Sequence, residues 1–331
     1  MKALVYLGKE SMDYREMPDP HAGAGEVIVK VAACGICGSD MHGFHGHDPR
    51  RVPPLIMGHE AAGVAESGVL AGKRVAINPL VTCGQCSECL DGAPQLCESQ
   101  GVLGLPPRGG AFADRVAVPE RNLVEIPEGT DFRTAALTEP FAVAYHAVRL
   151  GARNLRRPLS TARVAVIGGG TIGIATALIL TAQGAGEVIL GEPNPQRRQA
   201  AREAGHFDVY DPGTAREPGP ASMDLVFDAV GAKATREAAF RMTRRGGAIV
   251  HLGLLPGSEG VDVRRLTLGE IAFLGSYCYS MPDFREALGL LAARRLGPLN
   301  WVEERPMSDG FQAFIDLDRN QAEAVKIILT N

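Results

Sequence analysis

A chain of 331 residues with a formal net charge of −4 exceeds one typical domain and carries no basic field for nucleic acid or a membrane surface. Its 45% hydrophobic and 22% charged content is that of an ordinary soluble globular protein, and no apolar run approaches the roughly 18 residues of a membrane helix. Seven cysteines, an odd number in a long chain, argue against a disulfide framework and for a reducing, cytoplasmic compartment.

The opening MKALVYLGKE has a short apolar run with no small-residue cleavage site after it, and reads as a first strand, not a signal peptide. EVIVKV follows as a second short strand. The segment ACGICGSDMHGFHG then supplies Cys37, and LIMGHEAAG supplies His59 and Glu60 twenty-two residues later. A thiolate, an imidazole and a carboxylate from separate segments leave zinc an exchangeable position, the mark of a catalytic site. Cys34 and Cys37 also form C-x2-C, but the βαβ context of a redox pair is absent. His45 and His47 read as solvated loop residues. KRVAINP and FADRVAVPE are further short strands punctuated by glycine and proline.

Between those strands lies CGQCSECLDGAPQLC. Cys83, Cys86, Cys89 and Cys97 follow C-x2-C-x2-C-x7-C, with a turn at Asp91-Gly92 and Pro94 returning the fourth thiol. Four sulfurs on one ion describe a closed structural zinc site. The ferredoxin run instead sets its fourth cysteine three residues on and follows it with proline, whereas Glu98 follows here.

VAVIGGGTIGIATALILTAQGAGEVILGEPNPQRRQAAREAG reads as strand, glycine turn, helix, strand and capped helix. Gly168, Gly170 and Gly173, with Thr171 and Ile172 between the last two, fit the dinucleotide fingerprint at a helix N-terminus. Glu192 lies 24 residues past Gly168, placed to accept hydrogen bonds from ribose hydroxyls. A carboxylate there repels a 2′-phosphate, so NAD is favoured; Arg197 and Arg198 keep NADP open. Asn194-Pro195 opens the next helix and Gly205 closes it. VYDPGTAREPGPASM is too short and proline-rich for a connecting helix and reads as a loop. MDLVFDAVG and GGAIVHLGLL are strands ending in glycine turns, and LGEIAFLGSY holds the last strand of that sheet. DFREALGLLAARRLG is a helix with a glycine stop, and AVKIIL a closing strand.

The set Cys37, Ser39, Asp40, His42, His59-Glu60, the four-cysteine lobe, Glu139-Pro140 and the glycine fingerprint resembles the zinc-dependent medium-chain alcohol dehydrogenases. GICGSDMH, GHEAAG and LTEPFAVAYHAV most resemble the sorbitol (polyol) and threonine dehydrogenase branch. The resemblance implies a GroES-like β-barrel catalytic domain over residues 1–145, with a structural-zinc lobe at about 79–100. It implies a doubly wound parallel Rossmann domain for NAD over 146–276, and a return to the catalytic domain over 277–331. Up to two zinc ions are implied: one on Cys37, His59, Glu60 and Glu139, the other on the four cysteines. Ser39 would take the substrate proton and pass it through the cofactor ribose to His42, while Asp40 orients His59. Phe44, Tyr277, Tyr279 and Trp301 are candidate pocket walls.

The implied reaction is hydride transfer from a secondary alcohol, a polyol or sugar alcohol, to NAD, giving the ketone. A threonine-type amino alcohol or a simple alcohol is the alternative substrate, and a zinc-stabilised NAD-binding sensor without turnover is the alternative class. The partners implied are a small-molecule alcohol or ketone and further copies of the chain, as a dimer or tetramer. Two departures stand out: the hairpin GVAESGVLAGKRV is short and has Lys73 where aspartate is usual, and the stretch from Asp208 to Asp224 lacks its helix.

Overall fold

The computed structural model describes residues 1–331, which form two compact units. The first comprises Met1–Glu139, Tyr279–Ala293 and Val302–Asn331; the second comprises Pro140–Cys278 and Arg294–Trp301. The first division falls near the start of helix Thr138–Ala152, not at 145. From Phe141 onward this helix buries its apolar face, and Phe141 lies 6.2 Å from Trp301 ring to ring. Trp301 is therefore core of the second unit, and Arg295 ties the same segment down by donating to the Ala182 carbonyl at 2.6 Å. The helix Met281–Ala292 stops before the glycine expected to end it; Arg294 takes the left-handed turn, with φ 53°.

In the first unit the strand Glu26–Gly35 is the hub. It pairs antiparallel with Arg115–Pro119 at one end, with Glu60–Ala65 along much of its length, and with Lys326–Thr330 at the other end. Alternation in EVIVKV puts Val27, Val29 and Val31 on one buried face, packed with Phe112, Phe314 and Ile327. Glu60–Ala65 continues to Arg74–Ile77, the short hairpin closing within eight intervening residues without disturbing the pairing. A separate three-stranded sheet holds Lys2–Gly8 between Ser11–Glu16 and Leu55–Ile56.

The second unit is a six-stranded, wholly parallel sheet. Its order is Asp208–Tyr210, Glu187–Gly191, Arg163–Ile167, Met223–Asp228, Thr243–His251, Ala272–Gly275. Strand order reverses beside Arg163–Ile167, which makes the carboxyl end of that strand the switch point of a doubly wound sheet. Residues 211–222 join two of these strands without a helix, as the prolines require. Arg241 fastens this loop through Glu217 at 2.5 Å.

Candidate active site

Three ligand atoms converge at one end of the hub strand. Cys37 precedes the helix Gly38–Phe44, and Asp40 in its first turn accepts the Cys37 backbone N–H at 3.1 Å. Glu60 begins its strand in register with Gly35 and His59 stands just before it. The Cys37 thiol, a His59 ring nitrogen and a Glu60 carboxylate oxygen all lie within 4.8 Å of one another. A side chain at position 35 would strike both Glu60 and Lys326, so glycine there lets their charges meet across the backbone. The mixed sulfur, nitrogen and oxygen set fits zinc in an open coordination.

The surroundings are charged, with Asp40, His59 and Glu60 buried. His59 Nδ1 faces Asp40 Oδ1 at 3.5 Å, which leaves Nε2 for an ion. Burial opposes a charge on this imidazole, yet Asp40 and Cys37 raise its pKa well above the usual value. Burial likewise works against ionised Asp40, but His59, Arg51 and the Cys37 N–H outweigh it and bring the carboxyl to about 2. Glu139 sits in the first turn of its helix, outside the three-residue triangle. Burial, reinforced by Glu60, lifts its carboxyl to about 7 against the pull of His59 and the Tyr279 hydroxyl, which donates to it at 3.0 Å. Ser39 and His42 lie on one face of the helix Gly38–Phe44, three residues apart, with His42 exposed.

The four-cysteine lobe spans a two-residue ladder, Leu80–Val81 with Gly101–Val102. Its thiols Cys83, Cys86, Cys89 and Cys97 also lie within 4.8 Å of one another, and no disulfide joins any of the chain's seven cysteines. Backbone N–H groups of Gln85 and Cys86 donate to the Cys83 sulfur and bring its pKa to about 6. Such a closed thiolate set suits structural zinc.

In the second unit the fingerprint follows Arg163–Ile167. Gly168 has φ 105°, and a side chain at Gly173 would collide with the Gly168 carbonyl. A Cβ at Gly170 would meet nothing within 4 Å, and no side chain caps the helix Thr171–Ala182. Open space before uncapped N–H groups fits a dinucleotide pyrophosphate. The Glu192 carboxylate is buried and accepts the Gly169 N–H at 2.7 Å and the Asn194 N–H at 2.8 Å. It thus clasps the glycine turn. Asn194 caps the next helix through the Gln196 and Arg197 N–H groups, and Arg198 is spent on the Glu192 and Pro193 carbonyls and Asp211.

Some expectations need correction. Phe44 and Trp301 are buried core residues, not pocket walls, with Phe44 packed on Phe314; Tyr279 is buried against Phe284 but turns its hydroxyl to Glu139, and of the four only Tyr277 is exposed. His45, in the turn after the helix Gly38–Phe44, is half-buried and contacts Glu10 at 3.4 Å and Asp318 at 2.8 Å. Sequence reasoning also missed the buried lysine at 326, whose ammonium pairs with Glu60 and donates to the Ile36 carbonyl at 2.7 Å. A charge inside the apolar run AVKIIL was its one signal.

No helix of the chain is long and apolar enough to cross a membrane. Residues 23–128 match the family model for the alcohol dehydrogenase GroES-like domain, and residues 171–293 match that for zinc-binding dehydrogenases. A 2-dehydro-3-deoxy-L-galactonate 5-dehydrogenase of Pseudoalteromonas atlantica is 32% identical over 335 residues, covering 97% of this chain and 96% of its own. Sorbitol dehydrogenase of Bacillus subtilis is 32% identical over 297 residues, covering 85% and 83%. Among solved structures, an alcohol dehydrogenase of Escherichia coli CFT073 in complex with NADH superposes with a TM-score of 0.90 at 26% identity, covering 100% of this chain and 99% of that one.

Proposed function

Because the chain belongs to the zinc-dependent medium-chain alcohol dehydrogenases, we propose that it oxidises a secondary hydroxyl of a polyol or sugar-derived compound to the ketone, with NAD as hydride acceptor. The observation that carries this reading is the convergence of Cys37, His59 and Glu60 on one point. Two of the relatives act, by name, on polyhydroxy compounds, sorbitol and a galactonate derivative.

Cys37, His59 and Glu60 would hold the catalytic zinc, with Glu139 as a further oxygen donor, and Cys83, Cys86, Cys89 and Cys97 would hold the structural one. A zinc ion bound at the first site would supply Lewis acidity toward a hydroxyl oxygen, and a bound nicotinamide would supply the hydride acceptor. Ser39 accepts the hydroxyl proton at Oγ, since a hydroxyl can accept one bond while donating another. His42, exposed on the same helix face, delivers it to water. Asp40 fixes the His59 ring through Nδ1. The balance is one alcohol and one NAD⁺ giving one ketone, one NADH and one proton. In the second unit Gly168, Gly170, Thr171, Ile172 and Gly173 receive the pyrophosphate, and Glu192 takes the adenosine ribose hydroxyls and disfavours NADP.

A second copy of the chain is the proposed protein partner. Strand Ala272–Gly275 ends its sheet with one edge unpaired, and Val263 and Leu268 on the preceding helix are 66% and 56% exposed. Sedimentation velocity tests this directly, and a monomer at micromolar concentration refutes it.

The deciding experiment for the activity is NAD reduction by the zinc-loaded protein across polyols, sugar acids, amino alcohols and primary alcohols. Turnover confined to secondary hydroxyls of polyols or sugar acids supports the proposal. Protein that binds NADH and two zinc ions yet oxidises none of these is a sensor, and the proposal falls.

A further inference from the structure

Two adjacent arginines in DPRRVPP meet different fates. Arg50 is exposed and pairs with Asp48. Arg51 has a side chain only 4% exposed, and its guanidinium reaches the site described above. Nη1 donates to Asp40 Oδ1 at 3.1 Å and to the Gly104 carbonyl at 3.4 Å. Nη2 donates to Ser39 Oγ at 3.3 Å, and Nε faces Asp48 at 3.4 Å. The fold makes room for this side chain. A Cβ at Gly43, on the helix that carries Ser39 and His42, would collide with the Arg51 side chain.

We propose that Arg51 is a positioning residue of this active site, acting through Asp40 and Ser39 rather than on substrate. The inference rests on the reading of Cys37, His59 and Glu60 as zinc ligands.

Asp40 has no exposure and divides its oxygens between two ligand-bearing residues: Oδ2 takes the Cys37 N–H, while Oδ1 faces both His59 and Arg51. A buried carboxylate needs a cation. An imidazole that gives a lone pair to an ion is neutral and cannot be that cation. Arg51 is permanently charged, and its planar fork holds Asp40 in place while Asp40 aims the His59 ring. The second prong completes the bonding of Ser39. A hydroxyl has two acceptor sites and one proton; Arg51 fills one acceptor site, so the other receives the substrate proton and the serine's own proton passes onward. A lysine could restore the charge but not both contacts, because its donors leave from a single nitrogen.

The test uses the full-length, two-zinc enzyme and two variants, Arg51→Gln and Arg51→Lys. It measures the rate at which each zinc is lost to a chelator, with kcat and KM alongside. The four-cysteine ion serves as internal control. Arg51→Gln should release the Cys37–His59 ion about 10- to 100-fold faster and lower kcat by a similar factor, with the cysteine-bound ion and KM for NAD unchanged. Arg51→Lys should return the release rate toward that of the parent and leave kcat low. Should Arg51→Gln fold poorly, Gly43→Ala, which displaces the guanidinium while keeping it, should reproduce the selective loss.

Parental release and turnover in Arg51→Gln overturn the proposal. So does equal acceleration at both ions, which is what a merely structural residue gives. A parent enzyme that holds only the cysteine-bound ion refutes the zinc-ligand reading itself, and the proposal with it.

Discussion

Replacing Lys326 by methionine isolates the buried ion pair behind the ligand triangle. Lys326 and Glu60 are each 1% exposed at the side chain, and the ammonium also donates to the Ile36 carbonyl. Burial opposes the ammonium's charge, but Glu60 and Cys37 raise the pKa of Lys326, so the ammonium stays charged at neutral pH. Methionine keeps the side-chain volume and removes the cation, leaving the buried Glu60 carboxyl without its partner. Breaking such a pair from one side costs about 3–5 kcal/mol. Through the 1.36 kcal/mol decade, that is roughly two to four decades in the opening equilibrium. Amide hydrogen exchange along Lys326–Thr330 and Glu26–Gly35 reports the change, since these strands pair at Gly35. In zinc-free protein their protection should collapse by that factor. With zinc added the loss should be smaller, because a divalent ion supplies Glu60 with the positive charge that lysine no longer gives. Combining Lys326→Met with Glu60→Gln should recover most of the stability. Unchanged exchange in zinc-free Lys326→Met, or a double variant worse than the single one, refutes the assignment of this pair as mutually compensating.

Zinc uptake at the triangle should depend on pH in a stated direction. In the ion-free site His59 is held protonated by Asp40 and Cys37 despite burial, and burial brings Glu139 to about 7. Bound zinc displaces those protons, so apparent affinity rises as pH increases through 7 and falls in acid; competition with a chromogenic chelator at pH 6 and pH 8 checks the sign. Cys86→Ser should free the lobe's ion and speed hydrogen exchange over residues 80–102, with the second zinc still bound in elemental analysis. Glu192→Ala removes the acceptor for two backbone N–H groups as well as the proposed ribose contact. Its KM for NAD should rise roughly tenfold or more and the preference over NADP should shrink; an unchanged cofactor ratio denies Glu192 that role.

What the residues announce and what they conceal follow from different physics. Cys37, His59, Glu60 and the four lobe cysteines are legible because ligand chemistry restricts residue type and spacing, and the structure gathers each set within 4.8 Å. The glycine turn is legible because φ and steric clearance leave no other residue at Gly168 and Gly173. The loop at 211–222 is legible because proline cannot donate along a helix. Charge balance is another matter: it is set by tertiary neighbours that no local pattern reports. Arg50 and Arg51 are chemically identical and adjacent, yet one lies in solvent and the other threads past Gly43 to Asp40. Lys326 and Glu60 meet only because two strands flank Gly35 on opposite sides of the hub strand. Phe44 and Trp301 are misjudged for the same reason, since aromatic residues near ligand motifs serve equally as wall or core, and contacts with Phe314 and Phe141 decide for the core. Candidate ligands are therefore written in the sequence, whereas the counter-charges around them are written in the packing, and the Arg51 and Lys326 variants test that second layer separately from the first.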